Sequence, residues 1–77
     1  MTTHDLADLD AIIAALDEDL DGAPPRLRSR PEARAALALL GSLRADHASL
    51  GKDADAREDR IREASAARDL LALAMAE

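Results

Sequence analysis

Leu6, Leu9, Ile13, Leu16 and Leu20 are separated by 3, 4, 3 and 4 residues. That is the spacing of a heptad seam running down one face of an α-helix. A chain with this pattern has little from which to build a sheet instead: it contains no Val, no aromatic residue and three Ile, whereas strands draw on β-branched and aromatic side chains. An all-α fold is therefore predicted for the 77 residues, a length that admits one small domain.

Gly and Pro divide the helical pattern into three. The first helix is expected over about 3–21, with Thr3 as N-cap, Asp5 in the first turn and Ile12 widening the apolar seam. Gly22 is expected to stop it in a left-handed conformation. Pro24 and Pro25 should stiffen a linker over 22–30 into extended chain. Ser29 and Glu32 have capping-box spacing around Pro31, which opens a second helix over about 31–50 and disfavours helical geometry at Arg30. Within it Ala36, Leu40, Leu43, His47 and Leu50 form a seam. Leu37 and Leu39 flank that seam on both sides, so the helix should touch two neighbours. Gly41, Ala45 and Ala48 make a small-residue row where another helix can come close. Gly51 is the expected stop and Asp53 the next N-cap.

The third helix, about 53–76, changes character along its length. Eight of the eleven residues from Asp53 to Glu63 are charged, with Asp53–Arg57 and Glu58–Arg62 at acid-first i,i+4 spacing. Toward the C-terminus Leu70, Leu71, Leu73, Ala74 and Met75 cover more than half the helix circumference. The second and third helices are expected to form an antiparallel hairpin, with the amphipathic first helix on it or on a neighbouring chain. With thirteen Leu and three Ile as the large aliphatic residues, a domain this small is marginal. Completion of the core by oligomerisation is expected.

The net charge of −6 is unevenly spread. Residues 1–25 carry seven acids and no Lys or Arg, whereas residues 26–52 carry six bases and two acids. These segments can attract each other within a chain or between chains. No stretch has the length and apolarity of a membrane span or the layout of a signal peptide, so a cytoplasmic protein without membrane association is expected. The excess of Arg over Lys with abundant Ala fits a GC-rich bacterial coding sequence.

Motifs that carry chemistry are scarce. The absence of Cys removes thiol nucleophiles, disulfides and Cys-based metal sites, and the absence of aromatics removes a base-stacking platform. Asp17-Glu18-Asp19-Leu20-Asp21-Gly22 reads like the opening of a calcium-binding loop, but its twelfth position is Arg28 where a bidentate Glu belongs. His4 and Asp8 lie one turn apart, too few ligands for a metal site. His47 sits in the seam, either as a partly buried register-setting group or at the seam edge in water. A helix-turn-helix across Gly51 would put Arg57, Arg60 and Arg62 on its reading helix beside five acids, which repel phosphate. No cofactor, no metal and no catalytic role are expected.

The expected function is a non-catalytic helical interaction module, an adaptor, accessory subunit or inhibitor, whose partner is a second copy or a larger protein. Its interface residues are expected to be Leu70, Leu71, Leu73 and Met75, then Leu6, Leu9, Ile13 and Leu16. Arg26, Arg28, Arg30 and Arg34 form the basic cluster that would contact an anion or nucleic acid, if those arginines do not pair with the acidic first helix. That cluster underlies a second expectation, an oligomeric accessory protein on nucleic acid such as a small packaging subunit or regulator. A third is an acidic mimic of nucleic acid that blocks a basic protein site.

Overall fold

The chain winds into helices long enough to set the dimensions of the whole molecule. In the computed structural model, which describes residues 6–76, α1 spans Leu6–Asp21, α2 Pro25–Arg28, α3 Pro31–Leu50 and α4 Ala54–Ala76. At ~1.5 Å per residue α4 is about 35 Å long, close to the 37 Å long axis of the molecule. The all-α expectation holds: no strand occurs among the described residues. Thr3, His4 and Asp5, and with them the expected N-cap and the His4–Asp8 pair, lie outside the described residues.

The chain has four helices rather than three, because the expected extended linker contains a helical turn. Pro24 is extended (φ −67°, ψ 158°), but Pro25 opens α2. Its missing N–H costs nothing at a helix start, and its fixed φ suits one. The turn is held down by Leu27, which is fully buried.

Gly22 differs from the left-handed stop expected, whereas Gly51 stands, as expected, at the end of its helix. None of the glycines has a positive φ. Gly51 is right-handed (φ −63°, ψ −20°), and its N–H still donates to the His47 carbonyl. The Gly22 N–H likewise donates to the Glu18 carbonyl at 3.0 Å. Arginines close these helix ends instead. Arg28 Nη2 donates to the Asp21 carbonyl at 3.0 Å, and Arg57 Nη1 donates to the Leu50 carbonyl at 3.0 Å. Each arginine follows the carbonyl it caps by seven residues. A guanidinium placed there satisfies an orphan carbonyl and complements the negative end of the helix dipole.

The N-caps divide. Asp53 Oδ1 accepts from the Ala56 N–H at 3.1 Å, as expected. Ser29 does not cap α3. Its hydroxyl donates back to the Arg26 carbonyl, because anchoring Leu27 leaves Ser29 at the end of α2. Arg30 takes the N-cap position with extended geometry (φ −78°, ψ 151°) and makes no side-chain cap bond. Glu32 accepts from Arg30 instead.

Helices α1, α3 and α4 lie side by side, α3 opposite in sense to the other two. One cluster joins Leu16 of α1, Leu27 of α2, Ala33, Ala36 and Leu40 of α3, and Leu71 and Ala74 of α4. A second joins Leu9, Leu43, Leu50, Ile61 and Ala64. Ile13 and Leu39 touch both. Six Leu are fully buried, and no buried polar or charged residue occurs among the described residues. Each such Leu contributes about 1.5–3 kcal/mol by leaving water. The core thus closes largely within one chain. The expectation that other helices must complete it underestimated alanine, which supplies five of the buried core residues, Ala23, Ala33, Ala36, Ala64 and Ala74.

A candidate interaction surface at one end of the bundle

Because α3 reverses the chain, the start of α3 and the end of α4 meet α2 and the end of α1 at one pole of the bundle. Four large apolar side chains are exposed among the described residues: Leu37 (62%), Leu70 (53%), Leu73 (66%) and Met75 (48%). All four lie toward this pole. At the opposite pole, formed by the start of α1, the α3–α4 turn and the charged first half of α4, none of the described side chains, which do not include Leu6, is of this kind.

Helical geometry sorts the expected C-terminal apolar face into three directions. Residues advance by about 100° each. Leu71 points inward and is buried, alongside Ala74. Leu70 and Leu73 diverge by about 60° and share one outer face with Ala66, while Asp69 lies at its edge and lines the groove beside Arg68. Met75 turns ~160° away from Leu73, to the flank nearest α1. There it borders a groove of about 320 Å³ beside the Asp19–Arg68 pair.

On the other side of α3, the end of α1 and the start of α3 frame a shallow groove of about 330 Å³. Leu20, Ala33 and Leu37 give it an apolar lining, and Arg28, Arg34, Asp17 and Asp21 form its rim. Leu37 is the member that sequence reasoning missed as a surface residue. Its position beside the α3 seam was visible, but which flank another helix would cover was not.

The first-helix residues expected at an interface are mostly spent inside the chain. Leu9 and Leu16 are fully buried, and Ile13 packs half-buried against both clusters. Leu6 opens α1, but its side chain is outside what is described.

The basic cluster is dispersed in a similar way. Arg28 caps α1, and Arg30 lies 3.1 Å from Glu32. Arg26 and Arg34 are exposed and have no side-chain partner among the described residues. The acidic first helix draws its cations from elsewhere. Asp17 lies 3.3 Å from Arg44, and Asp19 Oδ2 is 2.6 Å from Arg68 Nε. That hydrogen bond, reinforced by the charges of Asp19, Asp69 and Glu18, raises the Arg68 pKa above its ordinary value, against a smaller lowering by burial.

These pairs also dispose of the calcium-like hexapeptide. It is helical through Asp21, so its carboxylates cannot converge as a loop would make them, and Asp17 and Asp19 already face arginines. No cluster of three or more metal-ligating side chains occurs among the described residues. His47 is half-buried, and its Nε2 lies 2.5 Å from Asp10 Oδ1, which ties α3 to α1 at the seam edge.

The arginines of the would-be reading helix are occupied as well. Arg57 caps α3. Arg60 binds Glu63 at 2.9 Å, donates to the Ser42 hydroxyl and lies 3.8 Å from Asp46. Arg62 lies 3.4 Å from Glu58 and 3.6 Å from Asp59. Gly41, in the small-residue row of α3, faces open space: a Cβ built there would meet nothing within 4 Å. Among the described residues no other helix closes on that row at Gly41, and Ala45 and Ala48 are exposed as well. None of the described helices is long and apolar enough to cross a membrane. No family model, curated protein or solved structure matches the chain.

Proposed function

We propose that the protein is a non-catalytic helical interaction module, an adaptor, accessory subunit or inhibitor, that acts through the apolar pole of its bundle. The observation that carries this reading is the gathering of Leu37, Leu70, Leu73 and Met75, all about half exposed or more, at one pole. Single exposed leucines are ordinary, but four large apolar side chains on several faces of one pole leave apolar area that another protein can cover. The interface residues are Leu37, Leu70, Leu73 and Met75. Leu9, Leu16 and Leu71 support them from inside.

The test separates surface from core. Truncation after Arg68 would remove Leu71 and Ala74 from the core and unfold the bundle, so it is uninformative. Leu70→Glu/Leu73→Glu alters exposed positions alone. The double variant should keep its far-ultraviolet helix signal and lose association, whether that association is with itself by light scattering or with a protein captured from its own cells. Unchanged association in a folded double variant overturns the reading.

A further inference from the structure

We draw no further inference here: the strongest candidate, the apolar surface that Leu37, Leu70, Leu73 and Met75 expose at one pole of the bundle, carries nothing beyond the function proposed above, because nothing in the structure shows what covers it.

Discussion

The two poles of the bundle rest on similar cores and wear different surfaces. At one, Leu9, Leu43, Leu50, Ile61 and Ala64 pack together beneath a highly charged surface with several ion pairs. Arg60 and Arg62 pair with Glu63, Glu58 and Asp59, Arg57 closes α3, and Asp53 opens α4. At the other, Leu16, Leu27, Leu40 and Leu71 form an equally dry interior. Its surface leaves four large apolar side chains and two arginines, Arg26 and Arg34, without partners among the described residues. The difference teaches that a shared kind of core does not dictate what the surface above it carries. Among the described side chains, one pole keeps its large apolar groups covered, whereas the other leaves four of them exposed.

Substitutions can break or sharpen that contrast. The largest effects should be equal at the two poles: Leu71→Ala and Ile61→Ala should each cost about 2–5 kcal/mol by opening a cavity in a packed core, read by thermal or urea unfolding followed by circular dichroism. A core weak at the apolar pole alone would recast its exposed leucines as the mark of poor folding. Capping should come next and should be unequal. Asp53→Ala should cost ~1 kcal/mol, while Ser29→Ala should leave unfolding nearly unchanged, since Ser29 does not cap α3 and its hydroxyl meets only an exposed carbonyl of the short α2. Arg28→Ala and Arg57→Ala should each cost roughly 1 kcal/mol through the freed carbonyl, a matched pair that tests whether the arginine closures are equivalent.

Smaller still, Gly41→Ala should stabilise α3 by about 0.5–1 kcal/mol, because alanine loses less backbone freedom and its Cβ meets nothing in the chain. The partly exposed Asp19–Arg68 pair should contribute only ~0.2–1 kcal/mol, measured as the coupling energy of a double-mutant cycle, and that coupling should fall with added salt. The smallest change in stability, within about 0.5 kcal/mol, is expected for Leu73→Glu at an exposed site. The same substitution should have the greatest effect on association, which is the contrast between the poles in one variant.

Much of the fold was legible from spacing. The three long helices follow from the apolar periods and from Pro31 and Asp53. The turn at Pro25 was not, because two consecutive prolines read as extended chain while Leu27 alone supplies the burial that pulls the second into a helix. Gly22 was misread for a related reason. A left-handed stop was expected there, yet it has no positive φ, and at both helix ends an arginine seven residues past the last residue reaches back to close it. That signal was present in the sequence and is visible only when the next helix is known to fold back beside the first.

The interaction surface was half legible. Leu70, Leu73 and Met75 were expected at an interface and are exposed, but grouping them with Leu71 ignored the directions that successive residues take around α4. Leu9 and Leu16 were assigned outward because a seam does not announce whether its partner is in the same chain. The basic run from Arg26 to Arg34 looked like one cluster in sequence. Two of its members are drawn off locally, Arg28 to a carbonyl and Arg30 to Glu32.

Alanine sets the spacing of this molecule. Ala33, Ala36, Ala64 and Ala74 lie at the contacts between long helices, and short side chains there let helix axes come closer than leucine would allow. Such a core is shut against drift in both directions. A smaller residue there is glycine, which loosens the helix, and a larger one must wedge the helices apart. Over generations these positions have almost nowhere to go, whereas the exposed leucines at the pole can be exchanged without penalty to the fold. Change of surface is therefore the easy evolutionary step for this chain, and change of shape the hard one.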